Sequence, residues 1–150
     1  MHAHPAETAR NDRWDESLAE RLAGALGEWL WLHIAAHEPI EVQIAEVGRD
    51  WLRGQRRIGS TVVIPLARIR ACTLGPASDA VSKVDPVAPS FRSMLGELSR
   101  RRTEIDLWVC GGARRECRIH HVGSDYVQLD GERVELVAIA AIELVEFTFS

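Results

Sequence analysis

The chain repeats itself, and the repeat limits what it can fold into. Val47-Gly48-Arg49-Asp50-Trp51-Leu52 returns as Val122-Gly123-Ser124-Asp125-Tyr126-Val127, 75 residues later. Val42-Gln43-Ile44 lies over Cys117-Arg118-Ile119 at the same spacing. Ile64-Pro65-Leu66-Ala67-Arg68-Ile69 lies over Val137-Ala138-Ile139-Ala140-Ala141-Ile142 at a spacing of 73, so the first copy carries two extra loop residues. A period of this kind is the signature of a duplicated structural unit.

The pattern within each copy is mainly β. Leu30, Leu32 and Ile34 alternate with Trp31 and His33, and Ile40, Val42 and Ile44 alternate again. A period of two places one set of side chains on one face of a strand. Gly48-Arg49-Asp50 is a tight-turn signal, and Trp51-Leu52 opens the next strand. Gly54 to Ser60 reads as a loop, and Thr61–Ile64 and Ala67–Thr73 as strands broken by Pro65, which implies an edge, bulge or corner. In the second copy Ile105, Leu107 and Val109 alternate, followed by a Gly111-Gly112 turn. Cys117, Ile119 and Val122 read as one strand and Tyr126, Val127 and Leu129 as the next. Asp130-Gly131 is a hairpin signal, and Val134–Ala138 and Ala140–Phe147 close the copy.

A helix precedes each set of strands. Trp14, Leu18, Leu22, Ala25 and Leu26 recur every three or four residues, with Asp15 and Glu16 in the expected first turn and Gly27 as the stop. Phe91, Met94, Leu95 and Leu98 mark a second helix from about Ser90 to Arg101. The expected organisation is a flexible tail at 1–12, one unit at 13–74, a Pro-rich linker at 75–89 and a second unit at 90–150. The expected class is mainly β with two helices, each unit a helix followed by a five-stranded, strongly bent antiparallel sheet or barrel.

A helix and five strands carrying the phrase Ile119-His120-His121-Val122-Gly123-Ser124-Asp125-Tyr126-Val127 resemble the Sm-like barrel, the family of Sm and LSm proteins and of the RNA chaperone Hfq. The likeness covers about residues 13–73 and 90–147. The tandem arrangement is similar to a bacterial family of unassigned activity with two Sm-like units. The resemblance implies assembly edge to edge through strands four and five, with one such junction satisfied inside the chain, three chains forming a pseudo-hexameric ring, and RNA as a possible partner. The chain also departs from the family. Val42 and Cys117 stand where the family bends a strand at glycine. Gly48 and Gly123 replace its turn aspartate, and Leu66-Ala67 and Ile139-Ala140 replace the Lys-His pair of Hfq.

Candidate sites are few. Arg53, Arg56, Arg57, Arg100, Arg101, Arg102, Arg114 and Arg115 form loop and helix-end clusters. Converged, they would hold phosphates, with Trp51, Trp108 or Tyr126 stacking on bases. Solvated loop cations are the competing reading. Gly48, Asp50, Gly123 and Asp125 read as structural turn residues. His120 and His121 are strand neighbours that point to opposite faces, so they cannot share one metal ion. Cys72, Cys110 and Cys117 have no metal-binding spacing and read as small buried thiols. No phosphate loop, zinc-protease motif or nucleophile elbow is present, so neither enzymatic activity nor a cofactor is expected. A net charge of −4 opposes nonspecific nucleic-acid binding. No signal peptide or apolar span is visible, which predicts a cytoplasmic location. The sequence therefore favours a non-enzymatic assembly module, with an Hfq-like RNA-binding regulator as the alternative.

Overall fold

The computed structural model describes residues 15–35, 37–74, 84 and 88–148. The expected tail at 1–12 and most of the expected linker lie outside the described residues. Helix α1 spans Leu18–Ala23 and is shorter than the sequence pattern suggested. Ser17 caps it by a reciprocal pair of bonds: its hydroxyl accepts from the Glu20 amide at 3.1 Å, and the Glu20 carboxylate accepts from the Ser17 amide at 3.2 Å. Asp15 and Glu16 therefore precede the helix. Gly27, at φ +83°, donates to the Ile44 carbonyl and turns the chain into the sheet.

Five strands follow: β1 (Trp29–Ile34), β2 (Ile40–Val47), β3 (Trp51–Gln55), β4 (Thr61–Pro65) and β5 (Ile69–Thr73). On β1 the alternation holds, with Leu30, Leu32 and Ile34 buried and Trp31 and His33 exposed. Pro65 ends β4 and leads into a single 3-10 turn, Leu66–Arg68, so the strand read from Ala67 begins at Ile69. Helix α2 (Phe91–Arg100) starts at Ser90, whose hydroxyl accepts from the Ser93 amide, and buries Phe91, Leu95 and Leu98. Then come β6 (Ile105–Val109), β7 (Ala113–Cys117), β8 (Ile119–Val122), β9 (Tyr126–Leu129), β10 (Glu135–Ala138), a 3-10 turn at Ile139–Ala141 and β11 (Ile142–Phe147).

The strand pairing overturns the expected pair of five-stranded Sm-like barrels. One eight-stranded sheet runs in the order β5-β1-β2-β3-β4-β11-β6-β7, and a second holds β10-β9-β8. All pairs are antiparallel, and among the described residues neither sheet closes on itself. Two physical causes account for the difference. The free edge of β4 is taken by β11, Val63 opposite Val145, so β4 does not return to β5. The strand read from Cys117 to Val122 breaks at Arg118. Its first part, β7, pairs with β6, and its second part, β8, pairs with β9.

The duplication survives in the backbone. Gly48 donates to the Trp51 carbonyl at 2.9 Å and Gly123 to the Tyr126 carbonyl at 2.8 Å. Leu66 donates to the Asp50 carbonyl and Ile139 to that of Asp125, both at 2.9 Å. The two buried cores are nevertheless interlocked. The core on β1–β4 and α1 includes Leu144 from β11. The core under α2 takes Trp51 and Val63 from the first half. Both β4 and β11 are buried on their two faces, as strands central to a packed sheet are.

Candidate interaction surface

The repeated Val-Gly-x-Asp-aromatic turn brings an aromatic ring over glycine. A Cβ on Gly48 would lie 2.3 Å from the Trp51 indole, and one on Gly123 would lie 2.2 Å from the Tyr126 ring. Glycine is required so that the ring can fold back across its own turn. In the first copy the turn also reaches the other half. Trp51 Nε1–H donates to the Pro89 carbonyl at 2.6 Å, and Asp50 Oδ1 accepts from the Phe91 amide at 3.0 Å. The Asp50 carboxylate thus sits at the start of α2, where the helix dipole favours an anion. Asp50 thus serves a backbone amide across the molecule rather than one within its own turn. Trp51 is fully buried and cannot stack on a base. Trp108 is half-buried, with the His37 ring edge-on at 5.7 Å and Arg114 over its face at 5.6 Å. Tyr126 is partly buried, 6.2 Å from the His121 ring.

The β4·β11 junction contains two carboxylates that periodicity alone did not single out. Glu146 is buried. It accepts a short bond from the Ser60 hydroxyl and an ion-paired bond from Arg56 at 3.1 Å. Glu143 is 1% exposed, and its Oε2 lies 3.5 Å from His37 Nε2 with no hydrogen bond between them. Both carboxylates lie on β11, and Ser60, Arg56 and His37 come from the first half. The available signal was two acids inside the otherwise apolar run Ile142–Phe147. Their partners, 86 and 90 residues away for Glu146, could not be read locally.

All eight arginines singled out for phosphate binding are already paired. Arg53 meets Glu46 at 3.0 Å, Arg56 meets Glu146, and Arg57 meets Glu41 at 2.5 Å while lying 3.9 Å above the Trp29 ring. Arg100 and Arg101 share Glu97, whose carboxyl their hydrogen bonds hold below the usual range. Arg102 pairs with Asp130, Arg114 with Asp106 and Glu116, and Arg115 with Glu135. The clusters do not converge into one uncompensated basic surface.

His120 pairs with Asp130 at 3.1 Å, and among the described residues no group of three or more His, Cys, Asp or Glu side chains gathers around a common point. The cysteines correct the expectation of three buried thiols: Cys72 and Cys117 are partly buried, but Cys110 is exposed at the β6–β7 turn. Burial pushes the Cys117 thiol up to about 11, with Glu135 and Asp106 adding to the shift. Among the described residues no helix is long and apolar enough to cross a membrane.

Among the described residues four strands pair on one side only, β5 and β7 at the ends of the larger sheet and β10 and β8 at the ends of the smaller. The edges of β10 and β5 are the ones that correspond, through the repeat, to the paired strands β4 and β11. Val134 is 74% exposed and Leu136 58%. By the repeat spacing of 73 these two correspond to Thr61 and Val63 on β4, which β11 covers to 2% and 0%. Trp31, 46% exposed, lies on β1 opposite Thr73 of the open β5 edge. Compared with known proteins, the chain matches no family model and no curated sequence.

Proposed function

We propose that this chain is a non-enzymatic assembly module that joins copies of itself head to tail, the β10 edge of one chain pairing with the β5 edge of the next. The observation that carries the reading is the correspondence between the open edges and the internal junction. β4 pairs with β11, and β10 and β5 are their respective counterparts in the repeat. The repeat places Leu136 opposite Cys72, as Val63 stands opposite Val145, and Glu135 opposite Thr73, as Val62 stands opposite Glu146. An exposed apolar strand edge is a template for pairing with another chain, and a second copy supplies the matching strand. A closed head-to-tail ring, such as a trimer, leaves neither the β10 nor the β5 edge open.

The pairing of all eight candidate arginines with carboxylates supports assembly over RNA. Each phosphate contact would have to displace a carboxylate, on a chain of net charge −4. The test is Val134→Ser with Leu136→Ser, followed by light scattering. Full burial of such side chains contributes about 1.5–3 kcal/mol each. At 74% and 58% exposure the pair has roughly 3 kcal/mol to gain, on the order of a hundredfold in association. The native chain should exceed its 16.7 kDa monomer mass and the double variant should fall back to it. Equal masses for the two would refute the assignment of β10 as the contact. Salt-sensitive binding of short uridine- or adenine-rich RNA, lost on combined Arg53→Ala, Arg56→Ala and Arg57→Ala substitution, would instead favour RNA.

A further inference from the structure

Between α2 and β8 lies a groove of about 340 Å³ with no carboxylate in its walls, on a chain of net charge −4. Grooves along β7, by contrast, are lined by acids, Glu116 and Asp130 among them. One stripe of α2 supplies Arg92, Ser93, Gly96 and Arg100, spaced three or four residues apart, opposite the face that buries Phe91, Leu95 and Leu98. The other wall is β8, with His120 and His121. The Ser99 hydroxyl donates to the Ile119 carbonyl at 3.1 Å and fixes the two walls to each other. The groove is at the opposite edge of the small sheet from β10, so it stays open whether or not chains join.

Its donors are held in place and partly unsatisfied. Arg92 Nε donates to the Gly123 carbonyl at 2.6 Å, so the second copy of the repeated turn positions the guanidinium. Among the described residues no carboxylate pairs with Arg92 or with His121, whose ring stands 6.2 Å from that of Tyr126. The Ser93 hydroxyl accepts from that of Ser90 at 3.2 Å and keeps its own proton to donate. Arg100 and His120 are committed to Glu97 and Asp130. The start of α2 is taken by Asp50, which leaves the helix flank as the anion site. Gly96 needs no special backbone, and a Cβ there would meet nothing closer than Arg100 Nη1 at 3.6 Å. Glycine inside a helix is less favourable than alanine, so its effect here is to leave the groove floor bare. The repeated fold does not require the histidines either: at the spacing of 75 their counterparts are Ala45 and Glu46.

We propose that this groove binds a phosphate dianion, free or as the head of a small phosphomonoester. The paired N–H groups of Arg92 match two phosphate oxygens, and the Ser93 hydroxyl and the His121 imidazole supply further donors. The volume is within the range of small-molecule sites and leaves room for an organic part beyond the phosphate.

The test is an amide NMR titration of the full chain with sodium phosphate and, separately, with glycerol phosphate, ionic strength being held constant with sodium chloride. Saturable shifts should fall on α2 and β8, and the tighter of the two probes identifies the source of the phosphate. Arg92→Ala should weaken binding about tenfold. His121→Ala and Gly96→Leu should also weaken it, and both leave the bond from Arg92 to Gly123 in place. Arg133→Ala, an exposed cation outside the groove, should leave affinity unchanged. Shifts that fail to saturate with either probe would overturn the proposal. So would His121→Ala and Gly96→Leu chains that bind as tightly as wild type, or an equal loss in Arg133→Ala.

Discussion

Replacing Trp51 tests whether the two halves are one folding unit. Trp51 lies on β3 of the first half but is fully buried in the core under α2. Its indole fills the space over Gly48 and its Nε1–H holds the Pro89 carbonyl just ahead of α2. Trp51→Ala removes the ring, which costs about 3–5 kcal/mol for a buried large-to-small change. It also leaves the part-buried Pro89 carbonyl without its donor, adding about 1 kcal/mol. At about 2–4 °C per kcal/mol for a chain near this size, the melting temperature should fall by roughly 10–15 °C. Trp51→Phe keeps most of the ring and loses the donor, so about 1–2 kcal/mol should be lost. The assay is urea unfolding followed by far-ultraviolet circular dichroism, with hydrogen exchange read separately on α2. One cooperative transition should shift as a whole, and the α2 amides should lose protection although the substitution lies on β3. Two separate transitions, of which only one moves and α2 is unaffected, would refute the interlocked cores.

Further predictions follow from the same contacts. Gly48→Ala should destabilise by about 2 kcal/mol or more, because the buried Trp51 ring cannot swing away, whereas Gly123→Ala should cost less because the Tyr126 ring is partly exposed; paired denaturation curves measure the difference. Glu146→Ala should destabilise the β4·β11 junction more than Glu46→Ala, since Glu46 serves only an exposed pair with Arg53; thermal unfolding of the two variants compares them. Folding keeps the Cys117 thiol protonated to about pH 11, against an ordinary value of 9.0. The unfolded chain therefore loses that proton first, so stability should decline between about pH 9 and 11, and Cys117→Ala should flatten the decline in pH-dependent denaturation.

The strands were legible because alternation is a local property. Leu30, Leu32 and Ile34 face inward on β1 as their spacing required, and Phe91, Leu95 and Leu98 do so on α2. The Gly-x-Asp turns were legible because only a small set of residues makes them. What periodicity could not give was long-range pairing. Nothing near Val63 names Val145, 82 residues on, as its neighbour, and that pairing joins strands of both halves into one eight-stranded sheet. Arg118 interrupts a strand that looked continuous, since its flanking segments pair with different neighbours. Trp51 looked like a stacking platform because an aromatic beside a turn is often exposed; its burial depends on α2, which arrives 40 residues later. The carboxylate partners of several arginines are likewise distant in sequence, Glu146 for Arg56 and Glu135 for Arg115 among them.

The central claim is a specific register between chains, and one covalent measurement tests it most directly. The repeat sets Leu136 of one chain opposite Cys72 of the next. Leu136→Cys, oxidised under mild conditions and run without reductant, should give a ladder of bands at multiples of the 16.7 kDa chain. Adding Cys72→Ser should abolish the ladder, and Ala138→Cys, displaced by two residues on the same strand, should not form it. A Leu136→Cys chain that stays monomeric after oxidation, or cross-links just as well with Cys72 removed, would contradict edge-to-edge assembly in this register.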